Sequence, residues 1–100
     1  MKIPKRFKLF GQTITVEFVD RDAEVNGLSE YRRNKILLMR QVGDSKRTRE
    51  QIEHTFCHEL MHWLLYHAGE DQFDPPLHRR EYLVDRLAGL LHQALTSEEA

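Results

Sequence analysis

The feature that most limits how this 100-residue chain can fold is His58-Glu59-Leu60-Met61-His62. Residues four apart stand one above the other on the face of an α-helix, which turns once every 3.6 residues. The flanks carry the same period: Ile52, Phe56, Leu60, Trp63 and Leu64 fall along one side. Gly43 breaks the chain before this run, Asp44 or Ser45 can cap the helix, and Gly69 is a stop after about His67.

On such a helix His58 and His62 can each offer a ring nitrogen to one zinc ion at about 2.0–2.1 Å. Glu59 lies beside the pair, badly placed as a ligand but able to reach a water on the metal. Zinc lowers the pKa of that water and polarises a carbonyl. Glu59 then serves as general base and returns the proton to a leaving amine.

A catalytic zinc takes three protein ligands and keeps one position open. Leucines at 83, 87, 90, 91 and 95 predict a second helix over Leu77 to Leu95, and Pro75-Pro76 lets it fold back antiparallel to the first. Glu81, with 18 residues between it and His62, is the third-ligand candidate, with Asp71, Asp74 and His78 as alternatives. Asp85 stands one turn beyond Glu81, placed to accept a hydrogen bond from the non-ligating nitrogen of His58 or His62. His78 and Tyr82 are the candidates for stabilising an oxyanion. His54 extends the histidine row and reads as surface or as support for a ligand. His67 sits at the helix end, where its charged form suits the dipole.

His58-Glu59-x-x-His62 followed by Glu81-x-x-x-Asp85 resembles the gluzincin class of metallopeptidases. Glu81-Tyr82-Leu83-Val84-Asp85-Arg86-Leu87-Ala88 is also similar to the second-helix signature of small bacterial and phage metallopeptidases, some of which cleave transcriptional repressors. The resemblance runs roughly from Ile36 to Leu91. It implies a zincin-like core, one Zn2+ per chain held by His58, His62 and Glu81, and Asp85 orienting a ligand histidine. The implied partner is a peptide or protein substrate, a transcriptional regulator among the candidates. By the same analogy Ile36, Leu37, Leu38, Met39 and Arg40 would form the edge on which an extended peptide pairs through its main chain. The chain departs from the larger gluzincins in having no room for subdomains that wall the cleft. Unlike many small relatives, it opens on a strand rather than a helix.

The residues before the motif read as strands: Phe7 to Phe10, Gln12 to Val19 with alternating Ile14, Val16 and Phe18, and the apolar run within Asn34 to Val42. Gly11 marks the bend between the first two. Asp20 to Glu30 is polar, with Asn26-Gly27 as a turn signal. The expected fold is α+β, a small antiparallel sheet of about three strands followed by two helices, in one domain over residues 1–100.

Fifteen Lys and Arg against sixteen Asp and Glu give a net charge of −1, which exerts no overall pull toward nucleic acid or membrane. The basic groups at Lys2 to Lys8 and Lys46 to Arg49 read as solvated surface. A single cysteine, Cys57, excludes an intramolecular disulfide and points to a reducing cytoplasm, the residue itself reading as a buried thiol. No apolar run reaches the length of a membrane span, and no secretory leader is evident. The oligomeric state is open.

Three rivals stand beside this reading. Metzincins need Gly three and His six residues after the second His, where this chain has Leu65 and Ala68. Zinc endoribonucleases of ribosomal RNA resemble the pattern His58, His62, His67, but their third His comes one residue later and they lack a Glu at position 59. A non-catalytic zinc module that binds protein or nucleic acid would suit a small domain, yet it has no use for Glu59.

Overall fold

The computed structural model describes residues 1–20, 24–68 and 75–97. The chain opens with a hairpin of β1 (Arg6–Leu9) and β2 (Gln12–Val19). Its two-residue turn, Phe10-Gly11, has positive φ at both positions, 53° and 77°. That is the backbone a tight turn matching the strand twist requires, and it takes Phe10 out of the predicted first strand.

Next come β3 (Gly27–Glu30), a 3-10 turn at Tyr31–Arg33 and β4 (Lys35–Met39). Asn34 closes that turn in the left-handed region, φ 51°, which Asn tolerates better than most residues. The sheet order is β1-β2-β4-β3. The α+β class and the two following helices agree with the sequence reading, but the sheet has four strands and is mixed. Because β4 returns antiparallel from β3, it must run parallel to β2, with Val16 opposite Ile36 and Phe18 opposite Leu38. A short second hairpin, β5 (Gln41–Val42) with β6 (Ser45–Lys46), follows.

This topology corrects one expectation. Ile36, Leu37, Leu38, Met39 and Arg40 do not form an edge, because β4 is paired with β2 on one side and with β3 on the other, and Arg40, just past its end, donates to the Val19 carbonyl and accepts from the Arg47 amide. Its main-chain groups are committed to those ladders. Toward the helices, the edge strand is β3.

Helix α1 (Arg49–His67) begins later than Asp44 or Ser45 would place it. Thr48 is the cap: its hydroxyl accepts from the Gln51 amide at 3.1 Å, while the Gln51 side chain accepts from the Thr48 amide at 2.9 Å. This reciprocal box satisfies two otherwise orphaned donors. Beyond the prolines a 3-10 turn, Leu77–Arg79, leads into α2 (Glu81–Thr96). The predicted stop at Gly69 lies outside the described residues.

Helix α1 lies against the sheet face that carries Ile14, Val16, Ile36 and Leu38, α2 packs on α1, and Phe56, Cys57, Trp63 and Ala88 complete the core cluster. The leucine stripe of α2 is split: Leu90 and Leu95 are exposed, Leu83, Leu87 and Leu91 are half-buried, and Val84 and Ala88 beside them are fully buried. Small side chains at that seam let the two helix backbones come close, and that approach delivers the start of α2 to the middle of α1. Burial raises the pKa of the Cys57 thiol, and the Glu53 carboxylate adds to the rise, so Cys57 stays a neutral core residue. Among the described residues no helix is long and apolar enough to cross a membrane.

Candidate metal centre

One helical turn separates His58 from His62, and their rings meet edge to face with centroids 4.9 Å apart. Ligand atoms of His58, Glu59 and His62 all lie within 4.8 Å of one another, the one such group among the described residues. Glu81, the first residue of α2, reaches across to both rings. Its Oε2 is 3.4 Å from His58 Nε2 and its Oε1 is 3.3 Å from His62 Nε2.

The far nitrogens face other acceptors. His58 Nδ1 stands 3.4 Å from an oxygen of Asp85. His62 Nδ1 is 2.7 Å from the carbonyl oxygen of His78, close enough to donate to it. Each imidazole therefore has an acceptor behind Nδ1, which favours the tautomer that leaves Nε2 as a lone pair on the side of Glu81.

The donor set fits zinc. Two ligands each about 2.0–2.1 Å from one tetrahedral ion stand about 3.3–3.4 Å apart. The two contacts between imidazole nitrogen and carboxylate oxygen have that separation. Two imidazoles and one carboxylate supply three ligands of the types zinc takes, and the Glu81 side chain is 68% exposed, so a fourth position can open to solvent. Asp71 and Asp74 lie outside the described residues.

Glu59 has a different environment from Glu81. It is only 7% exposed, and Ser29 Oγ donates a hydrogen bond to its Oε1 at 2.8 Å. Two cavities flank it. One, of about 350 Å³, is bordered by Asn26, Gly27, His54, His58 and Asp85. The other, of about 370 Å³, is bordered by Ser29, Tyr31, His62, His78, Arg79 and Glu81. Glu59 lines both.

The remaining sequence candidates separate. His78 is buried, lines the second cavity and meets Tyr31 and Tyr66 edge to face. Tyr82 does not belong with it: its ring is 78% exposed, its hydroxyl lies 3.5 Å from Arg86 Nη1, and it lines neither cavity. Position 82 lies on the solvent side of α2, one residue round from Glu81. His54 lines the first cavity and packs edge to face on His92. His67 stacks on Phe10 and Trp63, away from the pair, so His58, His62 and His67 do not form the endoribonuclease-like set.

Sequence reasoning missed Gly27, Ser29 and Tyr31. All three belong to a stretch read as polar loop or not assigned, and only the approach of β3 to α1 brings them to Glu59. Asn26-Gly27 gives a turn signal; the close packing that Gly27 permits leaves no local mark in the sequence.

Residues 5–83 match the family model described as the SprT-like family. No curated protein and no solved structure shows a significant match to the chain.

Proposed function

The chain belongs to the SprT-like family, and from that premise we propose that it is a zinc-dependent peptidase with His58, His62 and Glu81 as ligands. The family is associated with a zincin-like metallopeptidase domain. The single observation that carries the reading is the double facing of the imidazoles. Both turn Nε2 to the Glu81 carboxylate, and both have an acceptor behind Nδ1. A solvated helix face has no reason to back two histidines in this way. The subclass is gluzincin-like, because the third ligand is a glutamate and Asp85 orients His58.

Zinc bound there supplies Lewis acidity, polarising the scissile carbonyl and making a water acidic near neutral pH. Glu59 takes one proton from the attacking water and later delivers it to the nitrogen of the leaving amine. His78, buried beside Glu59 and Glu81, is the group we assign to the developing oxyanion. The substrate segment pairs in extended form with β3, whose residues Gly27 and Ser29 border the two cavities. We read residues 1–100 as one catalytic domain working in the cytoplasm on a peptide or protein. Transcriptional regulators are the substrate class that the second-helix signature suggests.

Elemental analysis tests the ligands: the chain purified with zinc should carry about one ion, and Glu81→Ala should lose most of it. Full retention of zinc by Glu81→Ala would remove Glu81 from the set. A quenched-fluorescent peptide library tests the chemistry. Glu59→Gln should keep the metal and lose cleavage by about 10²–10⁴-fold, the contribution of a positioned general base. No cleavage of any library member by the zinc-loaded chain would leave a non-catalytic zinc module.

A further inference from the structure

The Glu59 carboxylate is held by the edge strand rather than by its own helix. Ser29 Oγ donates to Oε1 at 2.8 Å, across 30 residues of sequence. Two residues earlier on the same strand, a Cβ at Gly27 would stand 2.6 Å from Thr55 Cγ2 and 3.3 Å from Glu59 Cγ. The first distance is closer than a side chain can approach. The strand therefore lies on α1 at this point because position 27 has no side chain, and that closeness brings the Ser29 hydroxyl within reach of Glu59.

We propose that β3 is the positioning element of the general base: Gly27 lets the strand close on α1, and the Ser29 hydroxyl locks the Glu59 carboxylate. The proposal rests on the peptidase reading. Its chemistry follows from proton counting. An ionised carboxylate only accepts, so Ser29 must be the donor, and its single proton is committed to Oε1. The other oxygen, Oε2, keeps its lone pairs for the proton of the attacking water. When that proton arrives on Oε2, Oε1 becomes the carbonyl oxygen of the acid and still accepts from Ser29. When the proton passes on to the leaving amine, the carboxylate is restored. Ser29 keeps its own proton throughout, so the lock need not break at any stage. Without it the terminal torsion of a glutamate is broad, and the two oxygens exchange places. Ser29 acts through Glu59 and is a positioning residue.

The test uses the zinc-loaded full chain and the same quenched-fluorescent peptides. Ser29→Ala should lower kcat by about tenfold or more, within the ~10²–10⁴-fold ceiling of the base itself. KM should stay within about twofold, because the interaction lost is one made in the transition state. Ser29→Thr, which keeps the hydroxyl, should recover most of the rate. A second readout needs no turnover: 13C relaxation at Glu59 Cγ should report an ordered side chain in the parent and Ser29→Thr, and a mobile one in Ser29→Ala. Should the alanine variant unfold, Ser29→Cys keeps a similar volume with a weak donor and should behave as the alanine would. An unchanged kcat together with an unchanged Glu59 order would overturn the proposal. If the parent cleaves no peptide, the peptidase reading fails by itself. Relaxation then decides the Ser29 lock alone, and equal order in parent and alanine variant refutes it.

Discussion

Replacing Arg47 by Met should cost the fold about 2–3 kcal/mol, on the following count. The Arg47 guanidinium has no carboxylate partner among its hydrogen bonds. It donates to the carbonyl oxygens of Asn26 and Met39 at 3.1 Å each, to the Gln51 carbonyl at 3.2 Å and to Thr55 Oγ1 at 2.6 Å. Those acceptors belong to the entry into β3, the end of β4 and the first turns of α1. Two of the four bonds, to Met39 and Thr55, are partly shielded from water. A charged donor to a shielded acceptor contributes about 1.5 kcal/mol at the low end of its range, and the two exposed bonds contribute little because water replaces them. Burial lowers the pKa of Arg47, the mark of a cation partly withdrawn from solvent, and that cost keeps the sum near the lower figure. Met retains most of the apolar stem, so the change isolates the head group. Urea unfolding followed by circular dichroism is the assay. With a slope near ~1 kcal/mol/M, the low end for small domains, the midpoint should fall by about 2 M. Arg47→Lys should recover less than half, since a point charge cannot span four acceptors on three elements. A midpoint shift under about 0.5 M for Met, or a lysine variant as stable as the parent, would refute the count.

Two further outcomes follow from the same packing. Burial raises the Glu53 pKa, but the His92 hydrogen bond, the Met1 ammonium and Arg49 together outweigh it, so the folded value lies below the usual 4.5. The stability this group contributes is present above that usual value and is lost as pH falls through the lower folded one, so Glu53→Gln should flatten the acid limb of a stability–pH curve below about pH 5. An acid limb of unchanged slope counts against it. Ala88→Leu should destabilise by about 1–3 kcal/mol through overpacking of the α1–α2 seam. It should also weaken zinc binding in a chelator competition although every proposed ligand is retained, because α2 carries Glu81 and Asp85; unaltered affinity would show that the seam does not set the site.

How much of this was legible in the sequence depended on whether the signal was local. The His58–His62 spacing, the alternation of Ile14, Val16 and Phe18, and the acidic pair Glu81 and Asp85 are short-range patterns, and each could be read without knowing its neighbours. The strand Gly27–Glu30 could not: it has one leucine, which is half exposed, and it exists because β4 offers it a ladder and α1 admits a glycine. Missing it also misplaced the sheet edge, since a strand inserted between β2 and β4 in sequence makes those two neighbours parallel and turns β4 into an interior strand. The leucines of α2 announce a helix but not its closest contact: a tight helix–helix seam takes Val84 and Ala88, whose small size leaves little trace in a hydrophobic pattern.

The backing carbonyl of His78, on the short turn, and the carboxylate of Glu81, at the start of α2, sit three residues apart. Everything the site draws from beyond the first helix thus arrives as one prefabricated piece, keyed in by the α1–α2 seam. A change that loosens that seam therefore displaces the backing carbonyl and the carboxylate together, never one without the other.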